Sequence, residues 1–179
     1  MSQCIILTGT SSSGKTSIAK AIQETCLDTP YLHFQMDAFW DMVPKDITAN
    51  SKNFPKMKDV LIQSAIAHLE AGHLLVMDIV FSPTSALSLK TSLARFKPSI
   101  VQVTASLDVL EKREIERGNR NIGMAAQQFN DFGDDHIGDL VINTDTNTAT
   151  ESANLIIKHL CLRSNQTNGS KPRTPSTNP

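Results

Sequence analysis

Gly9-Thr10-Ser11-Ser12-Ser13-Gly14-Lys15-Thr16 constrains this chain more than any other stretch. An apolar run, Cys4-Ile5-Ile6-Leu7-Thr8, precedes it and reads as a buried strand. Ser17 to Ile22 follows it and reads as a helix. The spacing G-x-x-x-x-G-K-T between a strand and a helix is the pattern of a phosphate-binding loop. Gly9 and Gly14 can take backbone angles that other residues resist, so the loop can curl with its N–H groups turned inward. The N-terminus of the following helix adds partial positive charge where phosphates would sit. Lys15 can reach the β- and γ-phosphates of a nucleotide, and the Thr16 hydroxyl is placed to ligate Mg²⁺. The expected nucleotide-binding set is therefore Gly9, Thr10, Ser11, Ser12, Ser13, Gly14, Lys15, Thr16 and Ser17, with ATP and Mg²⁺ as cofactors. The plain alternative is a glycine turn with an incidental Lys-Thr.

The rest of the chain suits such a loop. Its 179 residues make one domain with a tail, and 40% hydrophobic residues can bury a substantial core. A net charge of −1 argues against a bulk attraction to nucleic acid or an anionic membrane. Cys4, Cys26 and Cys161 have no metal-ligand spacing and read as buried free thiols. The first core strand begins at once, so no signal peptide is expected. No apolar run reaches membrane-spanning length, so a cytoplasmic protein is expected.

Strands are expected at Tyr31–Met36, His73–Met77, Ser99–Ala105 and Asp139–Asn143, after the first at Cys4–Thr8. Helices are expected at Lys15–Leu27, Lys56–Ala71, Ser82–Phe96, Leu107–Gly118, Gly123–Phe129 and Thr150–Leu162. The inward stripes are Ile18, Ala21, Ile22 and Thr25 on the first helix. They are Val60, Leu61, Ser64, Ala65, Ala67 and Leu69 on the second, and Leu155, Ile156, Leu160 and Leu162 on the last. Residues 38–55 read as irregular or short helical. Ser164–Pro179 is polar and reads as a disordered tail. Five strands alternating with helices give an α/β fold, a five-stranded parallel sheet with helices on both faces. Ligands bind outside the C-terminal strand ends of such sheets, where the glycine loop, Asp37 and Asp78 all fall.

Asp78 closes an apolar strand and can hold Mg²⁺ or its water; the alternative is a cap for the helix at Ser82. Asp37 can accept the proton of an attacking hydroxyl, or cap a helix. Phe39, Trp40 and Met42 can wall a substrate pocket or belong to the core. Arg113, Arg117 and Arg120 stand at i, i+4 and i+7. Next to a phosphate loop they read as a lid over about residues 113–128, with Arg117 and Arg120 meeting the nucleotide. The alternative is a solvated face paired with Lys112, Glu114 and Glu116. His33, His68, His73, His136 and His159 form no catalytic or metal pattern and are assigned surface or structural roles.

These residues together resemble the chloramphenicol phosphotransferase family, P-loop NTPase-fold kinases of the nucleoside-kinase and shikimate-kinase type. The resemblance rests on GTSSSGKT, Met36-Asp37, Met77-Asp78-Ile79-Val80-Phe81 and the run Arg113-Glu114-x-x-Arg117-Gly118-Asn119-Arg120-x-x-Gly123-Met124-Ala125-Ala126-x-Gln128. It covers about residues 3–160, within a kinase domain drawn at 1–163 and followed by the tail at 164–179. It implies transfer of the γ-phosphoryl group of ATP to a small-molecule hydroxyl, chloramphenicol-like, with Asp37 as catalytic base, Lys15 beside it and Arg120 on the lid. The chain departs from the family at Ile79, Gly133 and Gly138, read as acceptor-side changes. Other acceptors therefore stand beside it: a nucleoside, a sugar or a nucleotide-sugar. So does a nucleotide-binding regulatory protein without transfer activity.

Overall fold

The apolar runs assemble into one sheet covered on both faces in the computed structural model, which describes residues 3–42, 53–80, 82–118, 122–132 and 136–168. The strands are β1 (Cys4–Thr8), β2 (Tyr31–Gln35), β3 (Leu74–Asp78), β4 (Ser99–Thr104) and β5 (Leu140–Asn143). They lie in the order β2-β3-β1-β4-β5, and every pairing is parallel. The helices are α1 (Lys15–Thr25), α2 (Met36–Trp40), α3 (Asn53–Glu70), α4 (Pro83–Ser92), α5 (Leu107–Arg117), α6 (Met124–Phe132) and α7 (Ala149–Asn168). The expected five-stranded parallel α/β sheet is the fold adopted.

Side chains alternate across a strand, so each strand feeds two cores. Ile5 and Leu7 of β1 pack with Val76, Val101 and Val103 against Ile18 and Ile22 of α1 and Ile156 and Leu160 of α7. Cys4 and Ile6 pack with Leu75 and Met77 against Leu61, Ala65 and Leu69 of α3 and Leu89 of α4. Double coverage explains why β1 reads as an unbroken apolar run rather than an alternating one.

The strand order sets the site. β1 is flanked by β3 and β4, and Leu7 pairs with Asp78 in the parallel register. The glycine loop leaving β1 and the carboxylate ending β3 are thereby neighbours at the C-terminal edge. Gly9 is dictated by packing as well as by its φ of 145°, since a Cβ there would lie 2.2 Å from the Val103 carbonyl oxygen.

Boundaries differ from the sequence expectation in instructive ways. α1 ends at Thr25; Leu27 is exposed, and Ala19 rather than Thr25 faces inward. On α3 the buried stripe is Leu61, Ala65 and Leu69, while Val60 and Ala67 are exposed. The expected helix to Phe96 breaks after Ser92 into a 3₁₀ turn, Ala94–Phe96. Lys97, the residue before Pro98, closes that turn with a left-handed backbone (φ 54°, ψ 54°). Ser82 caps α4 by accepting from the Ser85 N–H, with Pro83 at the first helical position as expected. On α7 the inward set is Ala153, Ile156 and Leu160, and Leu155 is exposed. That helix passes Leu162 and the expected tail boundary to reach Asn168, the residue before Gly169. The remainder of the expected tail lies outside the described residues. No helix among the described residues is long and apolar enough to cross a membrane.

Of the three thiols only Cys4 is fully buried; Cys26 and Cys161 are half-buried. Burial pushes the Cys4 thiol up to about 12, so it does not form thiolate at neutral pH. A disulfide reagent should modify Cys26 and Cys161 in the native protein and Cys4 only after unfolding. Mass mapping of the labelled peptides checks this.

Candidate active site

The loop and α1 are joined by Gly14, whose left-handed backbone (φ 98°, ψ 7°) is the N-cap and brings no side-chain acceptor to the first turn. The N–H groups there are left to other partners, as in an anion site. Ser12 also has a positive φ, 63°, a conformation that L-residues adopt sparingly. Part of the loop is satisfied from within the chain, while the buried Ser12 hydroxyl has no hydrogen-bond partner among the described residues. The buried Lys15 ammonium donates to the Gly9 carbonyl at 2.9 Å and the Thr10 carbonyl at 2.6 Å. The Ser11 N–H donates to Gln128 Oε1 at 2.6 Å, so α6 reaches over the loop.

Across the β1–β3 seam, Thr16 Oγ1 donates to Asp78 Oδ2 at 2.6 Å. Burial alone would raise the Asp78 carboxyl. The His33 imidazole, the Lys15 charge and the Thr16 hydroxyl outweigh it and hold the group below the usual aspartate range. Asp78 does not cap the following helix, since Ser82 caps that helix itself. Asp37 sits one step later than expected. β2 stops at Gln35, and Asp37 stands exposed in the first turn of α2. It still lines the same cavity, about 840 Å³, as Ser11, Lys15, Thr16, Asp78 and Arg117. Small-molecule sites typically occupy roughly 300–1,000 Å³. Met36, Val80 and Met124 supply apolar wall. Phe39 instead packs on the core beside Phe34, and Met42 is exposed; the Trp40 side chain lies outside the described residues.

The arginine run divides. Arg117 is exposed on the cavity wall. Arg120, with Asn119, lies outside the described residues. Arg113 also lines the cavity, and its guanidinium donates to Thr144 Oγ1 at 2.9 Å and to the Thr144 carbonyl at 3.0 Å. Thr144 Oγ1 in turn donates to the Ser13 carbonyl at 2.9 Å, so the pair buttresses the phosphate loop from the end of β5. Glu114 is no surface partner either. It is 2% exposed and accepts from the N–H groups of Gly123, 2.7 Å, and Ala125, 2.9 Å. It caps the start of α6 from α5 and so places Gln128 over the loop. Its sequence signal was weak, because a Glu among Lys and Arg on a helix reads as solvated.

Two departures from the family pattern fall elsewhere than on an acceptor wall. Ile79 is buried in the core shared by α3 and α4. Gly138 precedes β5 and lies against the β4–β5 backbone, where a Cβ would be 2.5 Å from the Leu140 carbonyl oxygen and 3.0 Å from the Gln102 nitrogen. Gly133 lies outside the described residues.

A family model described as chloramphenicol phosphotransferase-like protein matches residues 2–161. No curated protein matches the sequence. Among solved structures, Mycobacterium tuberculosis APS kinase CysC in complex with AMPPNP and APS is similar at 18% identity and a TM-score of 0.70, over 88% of this chain and 96% of that one. A gluconokinase from Sinorhizobium meliloti is similar at 21% identity and a TM-score of 0.65, over 94% and 97%. Deinococcus radiodurans tunicamycin resistance protein is similar at 18% identity and a TM-score of 0.66, over 89% and 96%.

Replacing Glu114 by Ala should orphan the buried Ala125 N–H, at about 1–3 kcal/mol, while the exposed Gly123 N–H can turn to water. Glu114→Ala is therefore expected to lower stability by about 1–3 kcal/mol in urea unfolding, and Glu114→Gln by clearly less because one acceptor is kept.

Proposed function

Because the chain belongs to the chloramphenicol phosphotransferase-like family, we propose that it is a kinase moving the γ-phosphoryl group of ATP to a hydroxyl of a chloramphenicol-like alcohol. One observation carries this reading: a single cavity has the phosphate loop, Lys15 and Thr16 on one wall and the exposed Asp37 on another. A transfer site needs an anion cradle facing a proton acceptor. APS kinase and gluconokinase share this fold while their names give different acceptors, so the choice of alcohol rests on the family.

In the proposed reaction the loop N–H groups and the helix start hold the β- and γ-phosphates. Lys15 turns from the Gly9 and Thr10 carbonyls to the phosphate oxygens. The acceptor hydroxyl attacks the γ-phosphorus as its proton passes to an Asp37 carboxylate oxygen. A new phosphorus–oxygen bond forms, the bond to the β-phosphate bridging oxygen breaks, and ADP leaves. Arg117, and Arg120 as the family resemblance implies, neutralise charge on the transferring group. Thr16 and Asp78 would hold Mg²⁺. Two oxygen donors 2.6 Å apart suit this hard cation, which takes one or two carboxylates plus phosphates rather than a protein cage. When bound, the ion supplies charge neutralisation at the phosphates.

Incubation with Mg·ATP and chloramphenicol, read by mass spectrometry, should show a phosphorylated drug. Asp37→Ala should lower the rate by about 10²–10⁴ while leaving ATP affinity unchanged. Full transfer by the variant would remove Asp37 as the base. Product from a sugar or nucleoside panel, but not from the drug, would move the acceptor to that class.

A further inference from the structure

His33 is the buried group that this mechanism leaves unused. Its side chain is 8% exposed, and Nε2 stands 3.5 Å from Asp78 Oδ2. That is longer than a good hydrogen bond, and Nε2 has no hydrogen-bond partner among the described residues. The other ring nitrogen is occupied: Gln35 Nε2 lies 3.1 Å from His33 Nδ1. With the Gln35 amide NH₂ turned to Nδ1, the tautomer that fits is the one with Nδ1 accepting and the ring proton on Nε2, the atom nearest Asp78. The strand pattern explains the alignment. His33 and Gln35 share one face of β2, and the β2–β3 register sets Gln35 beside Asp78 and His33 beside Val76.

The same carboxylate oxygen, Oδ2, also receives the Thr16 hydroxyl proton at 2.6 Å. A hydroxyl that ligates a cation through its oxygen must keep its proton turned away from the ion, and Oδ2 is where that proton goes. The Thr16 hydroxyl from α1 donates to this oxygen, and the His33 ring from β2 faces it at 3.5 Å.

We propose that His33 is a positioning residue: through Nε2–H it holds the Asp78 carboxylate in the orientation that receives the Thr16 proton, and thereby sets the affinity of the site for the divalent cation of the nucleotide. Gln35 fixes the ring tautomer. The inference rests on the reading of Thr16 and Asp78 as the metal side. Groups that orient a metal ligand typically change metal affinity or activity by about 10–100-fold when removed.

The test uses the full-length protein with a non-hydrolysable ATP analogue and Mn²⁺ as the probe, free Mn²⁺ being read by electron paramagnetic resonance. Circular dichroism checks folding. His33→Leu is expected to weaken Mn²⁺ binding to the protein–analogue complex by about 10-fold or more. Its affinity for the metal-free analogue should be unchanged, which a general structural defect would not spare. His33→Gln, whose amide N–H can replace Nε2–H, should recover most of the loss. Gln35→Leu should lose a smaller part and carries the test if His33→Leu does not fold. Wild-type Mn²⁺ affinity in His33→Leu or, failing that variant, in Gln35→Leu, with the affinity lost in Asp78→Asn, would overturn the role of His33 alone. Unchanged affinity in Asp78→Asn as well would overturn the metal site beneath it.

Discussion

A buried ammonium must find oxygen, and Lys15 is 5% exposed. Removing its hydration is affordable only if protein or ligand atoms replace the water. The Gly9 and Thr10 carbonyls do so, and they can only because the loop curls back on itself. That curl in turn demands a glycine against the Val103 carbonyl, a left-handed Gly14 and a positive φ at Ser12. The sheet order then delivers Asp78 to the adjacent seam. The backbone features of the loop are those that accommodate that one charge at the end of β1.

A second tier of charged residues holds this arrangement. Arg113 and Glu114 are sequence neighbours on α5, yet they serve different partners. One ties the loop to the end of β5 through Thr144. The other grips the start of α6, which carries Gln128 to the Ser11 N–H. Neither works through a surface ion pair, which would contribute little. Both work by satisfying backbone groups, where loss of a partner leaves a desolvated donor or acceptor.

The parts of this design legible in the sequence were those with fixed local spacing. Five apolar runs, the glycine loop and the acidic residues near the ends of β2 and β3 gave the fold, the binding edge and one shared cavity, because short-range pattern dictates them. What could not be read depends on long-range register. His33 looked structural until β2 was set beside β3, which brought it to Asp78. Glu114 looked solvated until α6 was placed on α5. Ile79 and Gly138 looked like acceptor-side changes, but one is core and the other is packed against the backbone of β4 and β5. Periodicity also overestimated helix stripes where both candidate faces carried small or apolar residues, as at Val60 and Ala67.

The central claim is that the loop's internal hydrogen bonds stand in for those to phosphate. A crystal structure with Mg²⁺ and a non-hydrolysable ATP analogue tests it most directly. The account predicts that Lys15 Nζ leaves the Gly9 and Thr10 carbonyls for phosphate oxygens, and that the Ser11 N–H exchanges Gln128 Oε1 for another. A bound nucleotide elsewhere, with Lys15 and Ser11 still paired as they are now, would contradict it.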